Sequence, residues 1–279
     1  MYALLISGVV FVVLITVGII TEIGLGGLIF GGTAALILPQ VIISFVLRKK
    51  VGKVQTELQD LLMNGQKLIS RKVQQFQTKP GGNIKTLQRQ IETDQKAVIK
   101  EALAFTSHLE PFKKWNILMG KQINSMRLQF FYQLKEFDKV DQLLASKNIL
   151  TKPLMVEPLL IALKMARQYS NQDIAGAETT FNRHIKWFRG NKGKLLYGLM
   201  SWIYMEKGET EKARILLGKA KEITADATLT QNWENLSNCK ESLFSNAGLG
   251  DEWYGLYLEE PPQPKQQKVR GNPYSGRRF

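Results

Sequence analysis

Apolar residues fill two unbroken stretches at the start of the chain and thereafter recur mainly every three or four positions. The first stretch, 1–20 (MYALLISGVVFVVLITVGII), has Ser7 and Thr16 as its hydroxyl side chains and no charged side chain. At about 1.5 Å per residue it reaches about 30 Å as a helix, the thickness of a hydrocarbon core. Thr21, Glu22 and the glycines Gly24, Gly26 and Gly27 interrupt it, and a second run, 28–47, ends in Arg48, Lys49 and Lys50 with Lys53 close behind. The pattern predicts a hairpin of two transmembrane helices over 1–47. Basic side chains beside a span are held on the cytoplasmic side, and the loop between the runs carries only Glu22, so both termini and the main domain are expected in the cytoplasm. A cleaved signal peptide is disfavoured by the lack of Lys or Arg before the apolar run and of an A-x-A site. One span plus a re-entrant segment is a third reading of the same short break.

Within the second run, Gly27, Gly31 and Ala35 recur every four residues, the small-residue spacing that lets helix backbones approach closely. Thr33, Gln40 and Ser44 form a second, polar stripe. Packing of the hairpin on itself explains both stripes more simply than dimerisation or a transport path, and Pro39 predicts a kink. No Asp, Glu, Lys, Arg or His interrupts either run, which disfavours a proton or ion relay.

From 48 to 110 the apolar period becomes helical. Val51, Val54, Leu58, Leu61, Leu62, Leu68, Ile69, Val73 and Phe76 make one stripe, and Leu87, Ile91, Val98, Ile99 and Leu103 its counterpart. With Pro80, Gly81 and Gly82 between them, helices over 49–77 and 84–107 are expected to fold as an antiparallel hairpin. The first stripe could instead lie on a membrane surface, since Lys50, Lys53, Lys67, Arg71 and Lys72 decorate that helix.

After Pro111 the chain repeats itself. Lys135–Leu144, Gln172–Phe181 and Gly208–Leu217 align so that Val140, Ala177 and Ala213 stand 37 and 36 residues apart, each followed four residues later by Leu144, Phe181 or Leu217. That period belongs to arrays of helix pairs. In the third unit, Tyr197, Met200, Ser201, Tyr204, Gly208, Ala213, Leu217 and Ala220 stand at the spacings of a tetratricopeptide repeat, which this stretch resembles. The likeness spans about 120–245 and is clearest at 194–223. It implies an all-α array of stacked helix pairs with a groove lined by the first helices, where Trp202 and Met205, and from earlier units Tyr169 and Tyr132, would meet a protein partner. Trp202 as a core residue is the alternative.

A capping helix is expected from about Thr228, where Thr228 and Gln231 have capping-box spacing. Leu249, Trp253, Tyr254, Leu256 and Tyr257 then read as leucines and aromatics packing back on the last helices, or as a partner-docking peptide. The tail, 259–279, is rich in Pro, Gln and Arg and is expected to be disordered.

Charge narrows the partners without choosing one. Lys and Arg number 38 against 24 Asp and Glu, a net +14, which favours anionic lipid, nucleic acid or an acidic protein. The single cysteine, Cys239, excludes an internal disulfide and fits a reducing compartment. No catalytic, cofactor-binding or metal-ligating set is recognisable. His108 and His184 are isolated, and Arg189–Leu195 lacks the Ser or Thr and the preceding strand of a phosphate loop, so it reads as a link between repeats. These features together predict four segments: a membrane anchor (1–47), an amphipathic hairpin (48–110), a tetratricopeptide-like domain with its cap (111–258) and a basic tail (259–279). The expected role is a membrane-anchored, non-enzymatic scaffold or adaptor for a protein partner, with no cofactor. Alternatives are a membrane-associated nucleic-acid- or ribosome-binding protein and a subunit of a transport or secretion complex.

Overall fold

The structure, a computed structural model, describes residues 2–21, 24–77, 84–116, 118–145 and 157–261. Its regular elements are all helices, with no strand among the described residues. The expected disordered tail falls almost wholly outside the described residues. The chain divides into two compact units, Met1–Lys164 and Met165–Phe279.

In the first unit, α1 (Tyr2–Ile20) packs antiparallel against α2 (Leu25–Gln77). The contact runs through Gly32 and Ala35. A Cβ on Gly32 would stand 3.0 Å from the Phe11 ring, Ala35 is buried, and Gln40 Nε2 donates to Ser7 Oγ at 3.3 Å. The small-residue stripe is thus one residue out of register at Gly31, which has nothing within 4 Å of its Cβ position. Of the polar stripe, only Gln40 bonds across to α1, and Thr33 returns its hydroxyl to the Phe30 carbonyl.

The second apolar run and the first amphipathic helix form one continuous 53-residue helix that passes through Pro39. Over Ile29–Phe76 it is long and apolar enough to cross a membrane. Its later part packs on α3 (Ile84–Phe105), so the two amphipathic stripes bury each other. Leu58 and Ala102 share a core with Phe130, and Gly65 gives way to Val98, whose methyls would lie 2.6 Å from any Cβ there. Leu68 departs from the predicted stripe and is exposed.

A 3₁₀ segment, Thr106–Lys114, follows α3 and leads to α4 (Met119–Gln133) and α5 (Phe137–Ala145). Leu109, Met119 and Ile123 form a second core with Val51, Val54 and Phe112 of the same unit. The segment after residue 110 therefore packs on the amphipathic helices. The division between the two compact units falls within α6 (Pro158–Ser170).

In the second unit, α7 (Ile174–His184), α8 (Lys194–Glu206), α9 (Thr210–Thr224) and α10 (Ala227–Ser237) follow as close neighbours in sequence. α8 packs on α7 and α9, and α10 on α9. Ala213, Leu217 and Ala220, all buried, bring α9 close to its neighbours. The N-cap of α10 is Asp226, whose Oδ1 accepts from the Thr228 and Leu229 N–H groups at 2.9 and 3.2 Å, so the cap lies two residues before the expected one.

One turn recurs between the paired helices. Lys135, Gln172 and Gly208 occupy the left-handed region at φ 60°, 62° and 73°. Around each, the next residue's N–H donates to the carbonyl five residues back (Glu136 to Phe131 at 2.9 Å, Asp173 to Gln168 at 2.8 Å, Glu209 to Tyr204 at 2.8 Å), closing a Schellman motif. The first and third turns share further detail. Lys139 pairs with Glu136 and stands over the Phe131 ring, as Lys212 pairs with Glu209 and stands over Tyr204. In the second turn Gly176 takes the lysine's place, and the Asp173 carboxylate accepts the Gly176 N–H at 2.9 Å instead.

Candidate functional site

Helix α8 is enclosed on all sides: every residue from Leu195 to Tyr204 is buried. An all-round burial of this kind in a surface array requires something to cover the face that neighbouring helices leave open. The chain supplies it. Residues after α10 turn back through short 3₁₀ pieces, Glu241–Leu243 and Ala247–Leu249, to a single helical turn, α11 (Asp251–Tyr254), which packs on α8.

Close approach is possible because Gly198 has no side chain. A Cβ there would meet Leu249 Cδ1 at 2.5 Å. The Gly198 carbonyl accepts from the buried Asn246 Nδ2 at 2.9 Å, while Asn246 Oδ1 accepts from Asn232 Nδ2 of α10 at 3.0 Å. Asn232 also exchanges hydrogen bonds with the backbone of Ser245 in both directions, each 3.0 Å, and Asn235 Nδ2 donates to the Leu243 carbonyl at 2.9 Å. Each enclosed amide thus has partners, the condition under which a buried polar group does not destabilise the fold.

Beyond this clasp lies an aromatic stack. The Tyr169 and Trp202 rings meet edge to face at 5.1 Å, and Trp202 meets Trp253 at 5.8 Å. Both indoles donate to one carboxylate, Trp202 Nε1 to Glu259 Oε1 at 2.6 Å and Trp253 Nε1 to Glu259 Oε2 at 2.7 Å. The docked segment therefore extends to Glu259, the first residue of the expected tail.

Of the four residues expected on an open groove, Tyr169 and Trp202 come together, and Met205 is half-buried at the end of α8. Tyr132 is buried in the other unit against Phe137, ring centres 5.5 Å apart. Trp202 is only 7% exposed, because the chain's own C-terminal segment lies over it; its alternative reading as a core residue describes its position. Neither Glu259 nor the Asn232–Asn246 pair was identifiable from spacing, since each partner is brought in by the chain reversal after α10.

Burial raises the phenols of this region above the usual tyrosine range. For Tyr204 the Glu178 carboxylate adds to the effect by accepting the phenol's hydrogen bond at 2.9 Å, and for Tyr169 the Glu206 charge adds to it. Glu209 is held below the usual carboxylate range by Lys212 first and Lys207 second. His184 is a core residue, its Nδ1 2.7 Å from the Thr180 carbonyl. The glycine-containing stretch after Arg189 is a 3₁₀ link, Gly190–Gly193, leading into α8. No cluster of His, Cys, Asp and Glu suited to a metal ion occurs among the described residues. Set against known protein families, curated proteins and solved structures, the chain matches none of them.

Proposed function

We propose that the chain is a membrane-anchored, non-enzymatic scaffold whose helix-pair body binds a protein partner on the cytoplasmic side. The observation that carries this reading is the contrast along α2. Around its first half and on α1, large apolar side chains such as Ile20 (80% exposed) and Phe30 (78%) face outward; its second half is consumed in packing against α3. A contiguous apolar surface of that extent is unfavourable in water and natural in lipid. Arg48, Lys49 and Lys50 at its end favour the cytoplasmic side for the body.

The tetratricopeptide likeness belongs to the same proposal. It is supported by the repeated turns at Lys135, Gln172 and Gly208, 37 and 36 residues apart, and by the small residues Ala177 and Ala213 buried at equivalent places. Arrays of this kind hold peptide segments on their first helices, and here α8 holds residues 246–259. Partner binding then uses surfaces other than the one at Trp202.

Two measurements test the proposal. Alkaline carbonate should leave the full chain in the membrane pellet; release into the supernatant would sink the anchor. Affinity purification in mild detergent, with and without nuclease, should recover the same proteins in both cases. Loss of every companion after nuclease would replace the scaffold reading with nucleic-acid binding, for which the net charge is the only support.

A further inference from the structure

We propose that the elbow formed by 112–116 and Leu118, together with Tyr2, is seated in the anionic headgroup layer of the membrane that α1 and α2 cross; this rests on the anchoring proposed above. The apolar stretch of α2 ends at Leu47, and the exposed Arg48, Lys49 and Lys50 follow at once. Val51 and Val54, one and two turns further on, already pack against the cluster of Leu109, Met119 and Ile123, as Phe112 does. The 3₁₀ segment is therefore docked within about 10 Å of the last apolar residue, at about 1.5 Å per helical residue.

From that dock the chain reaches back toward the apolar surface. The Trp115 ring meets Tyr2 edge to face, centroids 5.4 Å apart. Tyr2 opens α1, and the Ser7–Gln40 hydrogen bond sets that end of α1 beside the closing turns of the apolar part of α2. Trp115 thus lies where the apolar surface gives way to the basic cluster. Tryptophan and tyrosine concentrate at this level of a bilayer because the ring is apolar and its N–H or O–H polar, and adjacent Lys and Arg are drawn to anionic headgroups.

The elbow is held in shape by its own bonds and not by burial of its rings. The N–H groups of Trp115 and Asn116 both donate to the Phe112 carbonyl at 3.1 and 3.0 Å, and Asn116 Oδ1 accepts from the Leu118 N–H at 2.9 Å. Glu110 accepts from Lys113 and pairs with Arg127 at 2.7 Å, and Arg127 Nε donates to the enclosed Thr106 hydroxyl at 3.0 Å. Trp115 (37%) and Leu118 (39%) nevertheless remain exposed on this fixed frame. The apolar stripes of α2 and α3, by contrast, cover each other, so the elbow and not the amphipathic helix face is the surface offered to lipid.

Depth-resolved fluorescence in proteoliposomes of the full chain tests this. An environment-sensitive label is placed at Leu118→Cys, with Ile37→Cys reporting the span and Met63→Cys a site on α2 beyond the basic cluster, each in a Cys239→Ser background. The probe lipids are phosphatidylcholine with and without phosphatidylserine, carrying nitroxides on the headgroup or deep in the acyl chain. The label at 118 should be quenched by the headgroup nitroxide and shielded from a water-soluble quencher, and phosphatidylserine should strengthen both effects in a way that high salt reverses. The label at 37 should respond to the deep nitroxide and that at 63 to the aqueous quencher. A deep 37 with an aqueous 118, or a 118 indifferent to phosphatidylserine, overturns the headgroup contact and leaves the anchor standing. An aqueous 37 overturns both.

Discussion

The N-terminal helices and the clasp over α8 invert each other's relation between polarity and burial. On α1 and the first half of α2, Val9, Phe30, Phe45 and their neighbours point outward, while in the clasp Ser201, Asn232 and Asn246 are enclosed. In the first region backbone groups are satisfied within each helix, so its side chains are free to match an apolar solvent. In the second, side-chain amides bond the carbonyls and N–H groups that an irregular segment leaves over. Burial alone is therefore a poor guide to which region is a core; what matters is which solvent each surface replaces.

The sharpest way to break this comparison is to treat the clasp as a removable peptide. If residues 246–259 are part of the core, Trp253→Ala should destabilise the detergent-solubilised chain by about 3–5 kcal/mol in denaturant melts, and Trp202→Ala by a similar amount. A loss below about 1 kcal/mol would show the segment to be a loosely held ligand. Ala213→Asp should also cost several kcal/mol, because it places a charge where α9 meets its neighbours; a tolerated Ala213→Asp would undo the helix-pair frame.

A second effect, of about 2.5–3.5 kcal/mol, is expected from Ile37→Arg, which puts a charge in the middle of the proposed span. Insertion assayed by glycosylation mapping should fall accordingly. Unchanged insertion would argue that this surface meets protein instead of lipid.

Asn246→Ala should cost about 1–3 kcal/mol by leaving the Gly198 carbonyl and Asn232 short of partners. Its effect should appear in the melt and leave membrane insertion unchanged.

The smallest expected effect is on pH dependence. Tyr204 holds its proton more tightly folded than unfolded, so its contribution is complete below the unfolded tyrosine pKa and is lost as pH rises past about 10. Stability should decline through that range, and Tyr204→Phe should flatten the decline.

Much of the fold was legible because it follows from periodicity. The apolar runs and the amphipathic stretches are helical, and Val140, Ala177 and Ala213 are all buried. The first two turns were harder to see, because Lys135 and Gln172 stand in left-handed positions that only Gly208 advertises by residue type. The continuity of α2 was hidden by the change from uniform to periodic hydrophobicity at residue 47, which marks a change of surroundings and not an end of helix. The site was least legible: that Trp202 is covered depends on a reversal after Ser237 that brings Asn246 and Glu259 across 48 and 57 residues of chain.

The turn geometry occurs a fourth time, at Cys239, where φ is 54° and the Lys240 N–H closes back on the Asn235 carbonyl at 2.8 Å. Among the described residues that follow, the helical pieces are short. By repeating the turn but sending a short, amide-stapled segment back over α8, the chain uses the geometry that elsewhere joins two helices to fold over a face that α7 and α9 leave open. The same turn can therefore open a helix pair or close a lid over one, and the amides of Asn232, Asn235 and Asn246 decide which by holding the returning backbone in place.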